Sequence, residues 1–225
     1  MRPRALCDKL NQVLEEGLAR EIFLAVQPHV VTGPPAMEAL GPVTDIGMFS
    51  RGGVGPEEFV EILDAGRFSA LFDDAAILGI ECTFDRGTLR SHRYTFVPCP
   101  FDPELVSLRP ESIPIADWLR ESVLSYGLEA VRSVGAYRFD CVRKPPERSA
   151  DPHPISHFTF GSPDCRVPVR GPMSISDFLN FIFDNFYRGA RPFWLNHAPF
   201  LTCEGVEPTI TWDEQQLHHL QWMED

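Results

Sequence analysis

Between His153 and Arg188 the chain runs through two alternating segments, a tight connection and one strongly apolar helix. That order leaves few ways to fold. The helix is the most constrained part. Ile175, Phe178, Leu179, Ile182, Phe183 and Phe186 recur at helical spacing, while Asp177, Asn180, Asp184 and Arg188 fall on one narrow stripe. Such a helix buries most of its surface and wets one edge. Ser174 and Asp177 stand three apart at its start, the spacing of a capping box with Asp in place of Glu. The Phe stripe reads as core packing in preference to a ligand groove.

The segments before the helix alternate with a period of two. Ser156, Phe158 and Phe160 point one way, and Ile155, His157 and Thr159 the other. In Cys165–Arg170, Val167 and Val169 share one face and Arg166 and Arg170 the opposite one. The spacing predicts an antiparallel pair turning at Ser162-Pro163-Asp164. Pro168 has no N–H, which places its strand at an edge or a bulge.

Upstream, Leu6, Leu10, Val13, Leu14, Leu18, Ile22 and Val26 predict a helix over residues 4–27. The Pro- and Gly-rich stretch 28–56 reads as loop with one short strand at Ile46–Phe49. Gly52-Gly53-Val54-Gly55 lacks the Gly-Lys-Ser/Thr ending of a phosphate loop. A short helix at Pro56–Leu63 precedes a meander of three strands, Phe68–Phe72, Ala76–Phe84 and Thr88–Val97. Its turns fall at Asp73-Asp74 and Asp85-Arg86-Gly87. Ile80, Cys82 and Phe84 share a face, as do His92, Tyr94 and Phe96. A second helix is expected over residues 115–134, closed by Gly135, then a strand at Tyr137–Val142. The final segment reads as a strand at Thr209–Trp212 and a short helix from Asp213, with Leu217, Leu220 and Trp222 spaced for burial. These elements make an α+β fold: a mainly antiparallel sheet of six to eight strands with three principal helices packed on it, in a single domain spanning residues 1–225.

Net charge is −12, unevenly spread. Residues 1–85 carry 6 basic and 14 acidic groups, residues 86–150 carry 10 and 8, and residues 151–225 carry 4 and 10. An acidic chain repels polyanions overall, so nucleic acid or a nucleotide is left only the Arg-rich middle, Arg86 to Arg170. The acidic ends suit a protein partner with a basic face. The six cysteines are scattered with no C-x-x-C pair, which excludes zinc-ribbon and thioredoxin-type motifs and predicts reduced, mostly buried thiols. The chain has no apolar run long enough to span a membrane, and its N-terminal segment lacks the apolar centre of a signal peptide. A cytoplasmic protein with no membrane contact is the expectation.

Several stretches resemble an uncharacterised bacterial family of domain-of-unknown-function proteins. They are Phe68–Asp74, His92-Arg93-Tyr94 leading to Pro98-Cys99-Pro100-Phe101-Asp102, Tyr137-Arg138-Phe139-Asp140, His153-Pro154-Ile155-Ser156-His157, and Arg166-Val167-Pro168-Val169 leading into the Phe178–Tyr187 helix. The resemblance covers most of residues 60–190. It implies a small cytosolic protein encoded in some cases near mobile or defence genes, and it carries no established activity.

The residues that could carry chemistry come from three neighbouring strands. Arg138 and Asp140, His157 and Thr159, and Arg166 and Arg170 each alternate onto one side. If the strands pair, they form one polar sheet face backed by Phe139, Phe158, Phe160, Val167 and Val169. Arg forks suit phosphate or carboxylate oxygens, and a neighbouring His can carry a proton. The plainer alternative is a solvated face with ordinary Arg–Asp pairing. His153 and His157 are about 13 Å apart along a strand, too far to share one metal ion. His218 and Glu214 lack a further ligand, and no Gly-x-Ser-x-Gly is present. No metal, no cofactor and no catalytic residue is assigned. The first expectation is a non-enzymatic partner-binding or regulatory subunit, in a bacterial defence or toxin–antitoxin assembly as the resemblance implies. The alternative is a phosphodiester hydrolase or nuclease using Arg138, Asp140, His157 and Arg166.

Overall fold

The computed structural model describes residues 1–44, 54–132, 135–143, 154–161 and 164–221. The strand expected at Ile46–Phe49, Gly52 and Gly53 of the Gly52–Gly55 run, the Ser162-Pro163 part of the turn, His153 and Trp222 lie outside these residues.

The chain opens with helix α1 (Pro3–Ala19), whose buried stripe is Leu6, Cys7, Leu10, Val13, Leu14 and Gly17. The helix does not run on to residue 27 as its spacing suggests. Glu21 takes a positive φ of 59° and the Ile22 N–H bonds back to the Gly17 carbonyl, which reverses the chain. The Phe23 ring then lies against Gly17, where a Cβ would sit 2.4 Å from it. Ile22 and Val26 are apolar at helical spacing, yet Phe23–Val26 forms strand β1.

The stretch expected to be loop contributes two further strands, β2 (His29–Thr32) and β3 (Glu38–Pro42), a hairpin around Gly33 at φ 90°. Helix α2 (Pro56–Asp64) follows, then β4 (Ala70–Phe72), β5 (Ile77–Asp85) and β6 (Thr88–Val97). Arg86 and Gly87, both at positive φ, make the two-residue turn between β5 and β6. After the short α3 (Pro103–Ser107) comes α4 (Ile115–Tyr126). It ends at Gly127, at φ 59°, eight residues before the expected stop at Gly135. Val131 then forms an isolated bridge to Phe101. Strands β7 (Tyr137–Val142), β8 (Ser156–Phe160) and β9 (Arg166–Pro168) lead to α5 (Ile175–Asn185). Short helices α6 (Arg191–Leu195) and α7 (Trp212–Gln215) close the chain. Thr209 and Ile210 are not a strand, although their N–H groups both bond to the Arg170 carbonyl. Leu217 and Leu220 are exposed, against the expected burial.

The nine described strands form one antiparallel sheet in the order β1-β4-β5-β6-β7-β8-β9, with β3 also on β5 and β2 on β3. The α+β class expected from the sequence is what forms. One face packs on α1, α5 and α6 through a core that includes Leu10, Phe72, Phe96, Phe139, Phe178, Phe183 and Trp194. The other face changes character along its strands. At one end Leu71, Ile77 and Val97 are covered by α2, α3 and α4 in a second core. Further along, the same face of β5 presents Gly79, Glu81 and Thr83, and that of β6 presents Thr95, Arg93 and Ser91.

Polar contacts tie the helices to the sheet. The Asn11 amide accepts from the His29 N–H and donates to its carbonyl, at 2.8 and 2.9 Å, as a neighbouring strand would. His92 accepts from the Met173 N–H through Nε2 (3.1 Å), so its Nδ1 carries the proton that bonds the Phe139 carbonyl (3.2 Å). Helix α5 then begins with the expected capping box: Ser174 Oγ accepts from the Asp177 N–H, and the Asp177 carboxylate accepts from the Ser174 N–H.

Loss of that cap in Ser174→Ala lowers the unfolding free energy by about 1 kcal/mol, measured by urea titration. Acid acts through the buried histidines. Burial pushes both His29 and His92 down to about 4 from an ordinary value of 6.5. In that window the unfolded chain binds protons that the folded chain does not, so stability is full above pH 6.5 and falls as pH drops towards 4. Each histidine contributes up to about 1.4 kcal/mol per pH unit. A urea midpoint that stays flat between neutral pH and about pH 5 overturns this assignment.

Candidate functional site

Register decides which side chains meet. Arg93 of β6 lies opposite Asp140 of β7, which lies opposite His157 of β8, which lies opposite Pro168 of β9. The next row holds Thr95, Arg138, Thr159 and Arg166. Because side chains alternate across a strand, these two rows share the face opposite Phe139 and Phe158.

Asp140 is the hub, and it is 5% exposed. One carboxylate oxygen accepts from Arg93 Nε at 2.9 Å and the other from Arg138 Nε at 2.5 Å. His157 Nε2 lies 3.6 Å from the second oxygen, and His157 Nδ1 lies 3.2 Å from the Pro154 carbonyl. Burial alone would push the Asp140 carboxyl up; the guanidiniums of Arg138 and Arg93 outweigh it and hold the group below the ordinary carboxylate range. Asp140 is therefore a fixed anion. Arg138 is buried with it, whereas the Arg93 side chain is 36% exposed. Beside this network the Thr159 hydroxyl is buried without a hydrogen-bond partner.

Arg93, Glu81 and Asp140 line one end of a trough of about 400 Å³ on this face. Its lining also includes Ala39, Thr83 and Ser91, the two hydroxyls bonding each other, and the apolar Val30, Val43 and Val142.

Of the five residues singled out in the sequence, Arg138, Asp140 and His157 come together. Arg166 stays on the same face, opposite Thr159, but is exposed and at the sheet edge. Arg170 does not join them. Strand β9 stops at Pro168, and the Arg170 backbone turns to the C-terminal segment, bonding Leu220, Thr209 and Ile210. Arg170 lines a different recess with Pro208, Gln215 and His219. Alternation along Arg166–Arg170 does not carry through because the strand ends inside it. Sequence reasoning missed Arg93 and Glu81, although each sits out of phase with apolar neighbours already assigned to the core: Tyr94 and Phe96, Ile80 and Cys82.

The remaining reactive groups are elsewhere. Burial pushes the thiols of Cys7, Cys82, Cys99, Cys141 and Cys203 up; Cys165 is exposed, and none of the six is paired. Among the described residues no group of three His, Cys, Asp or Glu side chains is placed to hold a metal ion, and no helix is long and apolar enough to cross a membrane.

Fold and site together define a sheet protein with a charged network at one end of an open trough. A family model matches residues 54–222, and the chain belongs to that family, DUF2290, an uncharacterized conserved protein family. The matched range is wider than the 60–190 of the sequence resemblance. No curated protein and no solved structure matches the chain. Helix α1 and strands β1–β3 lie outside the matched range, yet β3 pairs with β5 and supplies part of the trough.

Asp140→Asn keeps the shape of the hub and removes its charge, leaving two guanidiniums against a neutral amide. Breaking a buried pair in this way costs about 3–5 kcal/mol, with the lower end expected here because Arg93 is partly wet. Urea unfolding measures it; a loss below about 1 kcal/mol would place the network among solvated surface pairs.

Proposed function

We propose that this protein is a non-enzymatic partner-binding or regulatory subunit that recognises its partner at the trough beside Asp140. The observation that carries the reading is the saturation of that carboxylate. A general base needs a proton affinity near the working pH and a free lone pair directed at substrate. Asp140 has both oxygens on guanidiniums and is held low. Such a group fixes geometry and charge; it does not exchange protons near neutrality. Arg93, oriented by it, faces the trough and supplies recognition. A cytoplasmic setting and a place in a bacterial defence or toxin–antitoxin assembly belong to the same proposal and rest on the family resemblance.

The phosphodiester hydrolase or nuclease reading draws support from Arg138, Asp140, His157 and Arg166 sharing one face. It is the weaker one, since His157 is 5% exposed and leans on a carboxylate already engaged.

The test is stoichiometric co-purification of the full chain from cells that encode it, alongside Arg93→Glu and the α1 double variant Glu15→Lys with Glu16→Lys, in which Glu15 is exposed and Glu16 half-buried. A protein that co-purifies with the wild type and the Glu variant, and is lost with Arg93→Glu, is the expected result. Phosphodiester hydrolysis by the wild type that falls about 10²-fold or more in His157→Ala would replace this reading with the hydrolase.

A further inference from the structure

Helices α2 and α4 cover the second core, and between the start of one and the end of the other lies a recess of about 410 Å³. Pro56, Val123 and Val131 line it together with Glu57 and Glu58. Val123 and Val131 are half-buried against the second core, so the apolar lining continues that core outwards. Gly55 and Gly127, also in the lining, leave open space where a Cβ would stand. On the last turn of α4, beside Val123, Leu124 is 82% exposed and Tyr126 56%. Apolar surface gathered around an apolar recess marks a contact site, unlike apolar side chains scattered singly.

The charge at the rim has one sign. Helix α2 carries Glu57, Glu58, Glu61 and Asp64 and no basic residue. Asp64 is met by Arg120 of α4 at 3.0 Å, and Arg120 is shared with Asp117. Among the described residues Glu57, Glu58 and Glu61 form no ion pair. Glu57 and Glu61 stand four apart, so two like charges lie on one helical face with no cation between them. The dipole at the start of α2 accounts for Glu57 and Glu58; it does not account for Glu61, a turn further on. The last turn of α4 has no basic residue either, and a helix C-terminus favours a cation.

We propose that this recess docks a basic segment of a protein partner. Apolar side chains of that segment seat against Val123 and Val131, and its Lys or Arg side chains lie against Glu57, Glu58 and Glu61. The recess shares no lining residue with the trough beside Asp140, so the proposal stands apart from the reading given there. Charge selects the occupant. The acidic α2 repels nucleic acid and anionic lipid surfaces, and a second copy in a two-fold contact would bring the same acidic stripe against it.

The probe is the peptide acetyl-Lys-Leu-Leu-Lys-Lys-Leu-Leu-Lys-amide, titrated into the full chain by calorimetry at low and at physiological salt. Saturable one-to-one binding that weakens with salt is expected, with none from the same peptide carrying Glu for Lys or Ser for Leu. Glu57→Gln with Glu61→Gln weakens binding about threefold or more. Because the whole chain is acidic, at −12, Asp8→Asn with Glu15→Gln is the control. It removes as much charge from exposed positions of α1, on the other face of the sheet, and leaves the affinity unchanged. Leu124→Ser tests the apolar side at an exposed position. Gly55→Phe fills the lip of the recess, on an extended backbone at φ −70° that any residue adopts. Each weakens binding about fivefold or more. If Gly55→Phe does not unfold cooperatively, Leu124→Ser decides this arm alone. Equal losses in the α1 and α2 pairs, unchanged affinity in every folded apolar variant, or no saturable binding at millimolar peptide each overturns the proposal. So does a dimer of the chain that Leu124→Ser dissolves, which would assign the recess to a second copy. Arg93→Glu does not weaken peptide binding; a loss there would place the peptide in the trough and overturn the assignment.

Discussion

A carboxylate at 5% exposure is unfavourable unless its charge is met, and Asp140 is met on both oxygens. Its partners come from two strands, Arg93 from β6 and Arg138 from β7 itself, and His157 of β8 closes around it. This makes the network sensitive to register. A slip of one residue in β7 would turn Phe139 towards Arg93 and send Asp140 into the Phe-rich core. The apolar face asks for the same register from the other side, because Phe139 must meet Phe158 and Phe178. Two independent demands, one ionic and one apolar, are thus satisfied by a single strand alignment. Buried pairs of this kind add little to stability over an apolar replacement. What this one supplies is a fixed position for the Arg93 side chain.

Among the described residues the second face of the sheet is only partly covered, and the trough lies on the uncovered part. Helices α2, α3 and α4 bury Leu71, Ile77 and Val97, and beyond that point the strands turn to Glu81, Thr83, Arg93 and Ser91. The hairpin of β2 and β3 then walls the polar part from the side. That hairpin is anchored by α1, through the Asn11 amide and the Cys7 thiol, both of which donate to the His29 carbonyl. The N-terminal segment therefore shapes the site without contributing a charged group to the network. This segment lies outside the matched family range and still lines the trough.

Legibility in the sequence followed how many independent signals each element carried. Helix α5 had an apolar stripe, a capping box and a proline before it, and it formed with its box intact. Strands β5 to β8 alternated over enough residues to fix both their existence and their faces. The failures share one cause, a signal that two geometries satisfy equally. Ile22 and Val26 continue the helical spacing of α1, and only the reversal at Glu21 removes them from it. Val30 and Val31 sit between Pro and Gly residues in a run too short to show alternation, so β2 read as loop. At the site, Arg138, Asp140 and His157 were readable from alternation alone. Arg170 was not, because its place depends on where β9 ends and on a C-terminal segment far along the chain. Arg93 was overlooked although its phase was visible, since the apolar residues around it drew the reading to the core face.

The site and the main core are joined by adjacent residues. His92 and Arg93 are neighbours on β6 facing opposite ways; so are Phe139 and Asp140 on β7. His92 accepts from the Met173 N–H just before the cap of α5 and reaches across to the Phe139 carbonyl, so one imidazole fixes the two strands and the start of the helix together. Stacked on Tyr94 and buried to 4% exposure, it has no room to shift alone. The peptide units that carry Arg93 and Asp140 are held from the core side by this contact and from the trough side by their ion pair. An Arg side chain gives up considerable rotamer freedom when it binds. Here part of that cost is met on folding, by a carboxylate whose own position is set by the packing of Phe139 behind it.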